Sequence, residues 1–161
     1  MRHIRSAWSA YGAWGAGALL VVATIGIRAQ GTDEKAIQTF VESFLTRLGN
    51  HELATLDADF TPRALIVVTR QRDGQWVNSY QTAEEWLAAL KRNPNPTRFR
   101  EPIANVTVTI DSGQLAYLRA DFQVIRDGTV LSSGVDQFTL VRDGSSWKIA
   151  VVAYTSIPAP R

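Results

Sequence analysis

From Ile103 to Ser156 the chain is almost continuous strand sequence, interrupted only by short turns that carry glycine. Residues 103–110, 114–126, 129–142 and 147–156 alternate or run apolar, and Asp111-Ser112-Gly113, Asp127-Gly128 and Asp143-Gly144 separate them. Three hairpins in sequence commit this half of the chain to an antiparallel meander. Such a sheet has a face to bury, and the residues upstream must cover it.

Those residues read as helices with one hairpin between them. Ile37, Phe40, Val41, Phe44, Leu45 and Leu48 form one stripe at helical spacing, which predicts an amphipathic helix over residues 32–48. Thr32 is its expected cap and Gly49 its expected end. A short second helix is expected over residues 52–57, stopped before Pro62. Residues 64–69 (ALIVVT) read as a buried strand, Asp73-Gly74 as a hairpin turn and residues 75–80 as the return strand. Thr82 and Glu85 have capping-box spacing, followed by Trp86, Leu87 and Leu90 on an apolar side. Asn93-Pro94-Asn95-Pro96 is expected to end that third helix in a loop. The layout is α+β: three helices early in the chain, packed on one face of a curved antiparallel sheet.

The N-terminus is different in kind. Residues 6–27 carry no charge, with Arg2 and Arg5 before them and Arg28 after. A basic start, a short apolar run and Ala29 fit a secretory signal peptide over residues 1–29. The rival is an uncleaved membrane anchor over residues 6–27, long enough as a helix to span a bilayer. Either way the domain, residues 30–157, is expected to be exported, to a periplasmic or secreted location in the first case. Residues 158–161 are expected to form a frayed tail.

Composition then excludes several chemistries. Zero cysteines rule out disulfides, thiolate metal sites and cysteine nucleophiles. Two histidines, His3 and His51, argue against a histidine metal site or a Ser-His-Asp triad. No metal or cofactor is expected: the glycines that could suggest a dinucleotide loop, Gly12, Gly15 and Gly17, lie in the leader. The leader holds three of the 17 basic residues and none of the 15 acidic ones, so the domain is close to neutral. That removes the electrostatic case for nucleic acid.

The Asp127-Gly128 turn predicts a strand register. As the centre of a two-residue hairpin it sets Tyr117 opposite Phe138, Arg119 opposite Asp136, Asp121 opposite Gly134 and Ile125 opposite Val130. A bulge near the turn would break this register. All of these residues then share one face. An Arg–Asp pair beside a Tyr–Phe pair, turned under the helices, is a polar floor in an apolar cup, the usual make-up of a small-molecule pocket. Turned outward it is a solvated salt bridge. Asp121 beside Gly134 would have room to meet a ligand. Trp76 and Trp86 join Tyr117, Arg119, Asp121, Asp136 and Phe138 as pocket candidates, although with Tyr80, Phe60 and Phe99 they read first as core. Asp57 and Asp59 read as solvated turn residues, Trp147 as core and His51 as surface.

The element order, the first-helix stripe and the closing segment Phe138-Thr139-Leu140-Val141-Arg142-Asp143-Gly144-Ser145-Ser146-Trp147-Lys148-Ile149 resemble the nuclear transport factor 2-like superfamily. The likeness is to its small bacterial SnoaL-like and ketosteroid-isomerase-like members, over about residues 32–157. The resemblance implies a cone-shaped α+β barrel: a strongly bent sheet around three helices, with a cavity at one end. It also implies dimerisation through the outer sheet surface and places Asp136 and Phe138 toward the cavity. Isomerase-like and cyclase-like members carry a carboxylate or histidine on or just after the first strand. Residues 63–68 here (RALIVV) hold none, and an Asp136 paired to Arg119 would be a poor base. No catalytic residue is assigned. Three functions remain open: a cup that binds a small apolar or aromatic ligand or a partner without chemistry; an isomerase, cyclase or dehydratase using Asp121 or Asp136 with Tyr117; and an assembly domain with a vestigial cavity.

Overall fold

The computed structural model describes residues 21–93 and 96–160. Most of the leader, and Pro94 and Asn95 of the expected loop, lie outside the described residues.

Helix α1 runs Val21–Gly49, a 3-10 helix covers Leu53–Asp59, strands β1 (Phe60–Arg72) and β2 (Gln75–Thr82) form a hairpin, and helix α2 covers Ala83–Lys91. Four strands follow: β3 (Ile103–Asp111), β4 (Leu115–Arg126), β5 (Thr129–Asp143) and β6 (Ser146–Pro158). Three of these differ from expectation. Thr32 does not cap α1, because the helix is already formed at Val21, the first described residue, and passes through Gly31 without a break. Among the described residues there are two α-helices and one 3-10 helix, the 3-10 helix standing where a short second helix was expected, and α2 lies between the first hairpin and the meander. The sheet is mixed rather than wholly antiparallel.

Its order is β2-β1-β6-β5-β4-β3, and β1 runs parallel to β6. The crossover from β1 to the end of the meander puts the first and last strands side by side, with α1 and α2 covering the face between. The chain achieves the curvature with bulges. Register shifts fall between Phe60 and Leu65, Ala104 and Thr107, Val124 and Ile125, and Thr139 and Leu140. The first leaves three extra residues and each of the others one, and each bends its strand, so together they wrap the sheet around α1.

The core lies between the two layers. The α1 stripe supplies Ile37, Val41, Phe44 and Leu45, and α2 supplies Ala83 and Leu87. They meet Ala64 and Ile66 of β1, Ala116 and Leu118 of β4, Phe138 and Leu140 of β5, and Ile149 of β6, all buried. Phe44 stands edge-on to both Phe60 and Phe138, with ring centroids 5.5 and 6.0 Å apart. Trp86 extends the chain of rings, 6.3 Å from Phe60. The capping box at Thr82 and Glu85 forms as its spacing predicts, with the Thr82 hydroxyl accepting from the Glu85 N–H and Glu85 accepting from the Thr82 N–H. At the far end Arg142 ties α1 to the meander: its guanidinium donates to Asp33 at 2.6 Å and to the Gly113 carbonyl at 2.8 Å, and lies over the Trp147 ring at 4.4 Å.

Candidate functional site

The Asp127-Gly128 turn forms as expected, with both residues at positive φ and Ile125 opposite Val130. The register beyond it does not hold. Val124 pairs with Ser132, leaving Leu131 as the extra residue of a bulge, and every later pair is displaced by one. Because side chains alternate, a slip of one residue reverses the face of each partner. Arg119 is opposite Gln137, Tyr117 opposite Thr139, and Asp121 opposite Val135. Asp136 stands across from Ala120 and Phe138 across from Leu118.

The expected five-residue face is therefore split between two sides of the sheet. Asp136 and Phe138 point inward, 2% and 1% exposed. Tyr117, Arg119 and Asp121 point outward, where Tyr117 is 44% exposed. Arg119 pairs with Asp121 on its own strand at 2.6 Å, and Asn105 donates to the same carboxylate at 2.7 Å. These bonds hold the Asp121 carboxyl below its ordinary value, through Asn105 first and Arg119 second. The gap at Gly134 is not room for a ligand. A Cβ there would lie 2.0 Å from the Thr155 carbonyl oxygen and 2.9 Å from the Phe122 ring, so neighbouring strand and ring already fill the space. Trp76 is half exposed on the edge strand β2, away from the cavity, whereas Trp86 lines it. Asp57 and Asp59 are engaged by Lys91 and Arg47, each at 2.6 Å.

The inner side encloses a cavity of about 300 Å³, at the small end of the range for ligand pockets. α1 contributes Phe44, Leu45 and Leu48 to it, and α2 contributes Trp86 and Leu90. Phe122, Phe138 and Val152 close it from the sheet, and Phe99 from the segment before β3. Against this apolar lining stand a few polar groups: Arg70, Glu101, Ser132, Asp136, Tyr154 and Ser156.

Two of them make an unusual pair. Glu101 and Asp136 lie side by side and interact through their carboxyls, which raises Glu101 and lowers Asp136 and so favours a shared proton on Glu101. Burial comes first among the causes that push Glu101 up to about 8, and the neighbouring Asp136 charge and hydrogen bond add to it. Burial likewise pushes Asp136 up to about 7, the Glu101 hydrogen bond pulling the other way. Two carboxyls this close in an apolar wall cannot both ionise easily. Asp136 Oδ2 has no hydrogen-bond partner among fixed donors. Tyr154 sits directly opposite Asp136 on β6. Burial raises its phenol, the Arg70 charge pulls it back, the nearby Glu101 and Asp136 charges raise it further, and a hydrogen bond with Arg70 adds a smaller lowering. The expected Arg119–Asp136 pair is thus replaced by an acid–acid pair, and the expected sign of the Asp136 shift is reversed.

Glu101, Arg70 and Tyr154 carry no signal in the sequence as read. Glu101 lies in a short segment of no periodicity, between Arg100 and Pro102. It reaches the wall because the Phe99 N–H donates to the Gly49 carbonyl at 3.1 Å and Arg100 bridges to Ile125. Arg70 and Tyr154 come together only through the parallel β1–β6 pairing.

A bent mixed sheet closed over a long helix, with an apolar cavity between them, defines a nuclear transport factor 2-like domain. Within that class the chain belongs to the SnoaL-like domain family, whose model matches residues 29–153. No curated protein matches the sequence. Among solved structures it is similar to a protein from Novosphingobium aromaticivorans described as the beta subunit of an aromatic-ring-hydroxylating dioxygenase. That match has 16% identity and a TM-score of 0.66, over 82% of this chain and 94% of the other. A protein from the same organism described as a scytalone dehydratase gives 13% identity and a TM-score of 0.63, over 81% and 87%. A third from that organism, an NTF2-like protein with a cystatin-like fold, gives 14% and 0.59, over 85% and 90%. At such identities the likeness is one of fold.

Proposed function

We propose that the domain binds a small, mostly apolar or aromatic ligand in the cavity, with the ligand's polar group against Glu101 and Asp136. The observation that carries this reading is the carboxyl pair, Asp136 buried and Glu101 half-buried, in a mainly apolar wall. A protein with no use for the hollow would gain stability by filling it and replacing the acids with apolar groups. A panel of small aromatic compounds should raise the melting temperature with concentration, by mass action. Ser132→Trp and Val124→Phe, which put bulk into the cavity from two different strands, should each abolish the rise. A flat response of the unaltered protein across the panel, or a rise that survives both variants, overturns the reading.

A second reading, proton-transfer catalysis of the isomerase or dehydratase kind, is favoured by the same pair. Acids held near neutrality can both give and take a proton at working pH. Turnover of any cavity ligand would then fall at least about a hundredfold in Asp136→Asn.

The outer sheet face is also proposed to join two copies. Val67, Thr69, Val135, Gln137, Ala153 and Thr155 line a shallow uncharged hollow there. Ala153→Arg should shift sedimentation from dimer to monomer. A monomer before substitution, or a dimer after it, removes this proposal.

A further inference from the structure

The cavity's charged groups are few and each has a direction. From β5 comes Asp136, from the segment before β3 comes Glu101, and from β1 comes Arg70, which donates to the Tyr154 hydroxyl of β6. α1 and α2 present only apolar side chains to it: Phe44, Leu45, Leu48, Trp86 and Leu90. On its outer side Glu101 also borders a surface groove that holds Glu42 of α1 and Arg100. With one proton between them, Glu101 and Asp136 bear a single negative charge. A carboxylate offers about four acceptor sites, and the Glu101 proton meets one of them, while Oδ2 finds no fixed donor. What the site lacks is a donor, and a positive one would satisfy the charge as well. Phe44, Trp86, Phe99, Phe122 and Phe138 line the same cavity, and an aromatic ring that meets a cation with its face attracts it.

Resting on the reading that the cavity holds a small ligand, we propose that it selects an amine on an apolar or aromatic body, bound as the ammonium, which donates to the Asp136 carboxyl. Arg70 lines the same cavity, but its interaction is with Tyr154, and it shifts neither acid. An arriving ammonium favours the ionised acid, so binding expels a proton from Glu101 to bulk water. The ligand keeps its own proton throughout.

Isothermal titration of the full chain with phenethylamine, phenethyl alcohol and hydrocinnamate separates the outcomes. At about pH 8 the amine should bind at least roughly tenfold tighter than the alcohol, and hydrocinnamate should not bind. At about pH 6, where the pair is protonated, the preference should shrink about tenfold. The apparent enthalpy should vary with the buffer's own ionisation heat, which reports the expelled proton. Asp136→Asn should remove the preference while alcohol binding persists. Glu101→Gln, which keeps a neutral donor to Asp136, should retain the preference and lose the proton release. Alcohol binding equal to or tighter than amine binding overturns the proposal and leaves the cavity reading standing. An amine preference that survives Asp136→Asn also overturns it. Binding of none of the three probes overturns the proposal; the wider compound panel then decides separately whether the cavity reading falls with it.

Discussion

Gly134→Ala should cost about 3 kcal/mol and lower the melting temperature by roughly 10 °C, although it adds a single methyl group. Gly134 lies on β5, two residues before Asp136, against Thr155 of β6. The new Cβ would sit 2.0 Å from the Thr155 carbonyl oxygen and 2.8 Å from its carbonyl carbon. Both are backbone atoms, so relief requires moving a strand rather than rotating a side chain. The third neighbour is the Phe122 ring at 2.9 Å, which stands edge-on to Tyr154 with centroids 6.3 Å apart. Displacing that ring disturbs the cavity wall as well as the sheet. Ligand binding should therefore weaken in whatever Gly134→Ala protein remains folded. Gly31→Ala is the matched control. Gly31 lies in α1 with nothing within 4 Å of a new Cβ, so the change should be neutral or stabilise by up to about 1 kcal/mol. Thermal melts of the two variants check the pair. Similar small losses in both would show that the β5–β6 approach is not tight.

How much of this was legible in the sequence depends on the length scale at which each feature is fixed. The α1 stripe, the Thr82–Glu85 box and the glycine turns are set by residues within a few positions of one another, and each forms where its pattern lies. The α+β class follows from their order. The register does not, because a single extra residue, Leu131, decides it, and nothing in residues 129–133 marks the bulge. Its position follows from the long-range curvature: Arg100 pairs with Ile125 on one side, and the Ala159 N–H donates to the Leu131 carbonyl at 2.9 Å on the other. The consequence for the site was large. Asp136 and Phe138 kept their place in the cavity, Tyr117, Arg119 and Asp121 went to the opposite surface, and the true partner of Asp136 came from outside every periodic segment. Arg70 and Tyr154 were invisible for a related reason, since the β1–β6 pairing joins residues more than eighty positions apart.

Stability should fall as pH rises from about 5 to about 9, by an amount on the order of 4 kcal/mol, read as a melting temperature lower by 10 °C or more at the alkaline end. The unfolded chain releases the protons of Glu101 and Asp136 near the ordinary values of 4.5 and 3.8, whereas the folded chain keeps them until about 8 and about 7. Between those limits the folded state binds more protons, so raising the pH favours unfolding. The contribution is whole below the unfolded values and is lost through the folded ones. Asp121 and Glu85, held below their ordinary values on the surface, act in the opposite sense and only at more acid pH. Tyr154 is raised by burial and works in the same direction as the pair, but above its ordinary value of 10.0, beyond this window. The slope between pH 5 and 9 therefore belongs to the pair. Asp136→Asn removes one titration and the mutual repulsion, so its melting curve should lose at least half of the pH dependence; Glu101→Gln combined with it should flatten the curve. The substituted protein should also be the more stable at about pH 9, the reverse of what loss of a stabilising salt bridge would give. A pH-independent melting temperature in the unsubstituted protein, or an unchanged slope in the double variant, would mean that water reaches these carboxyls and that they do not share a proton.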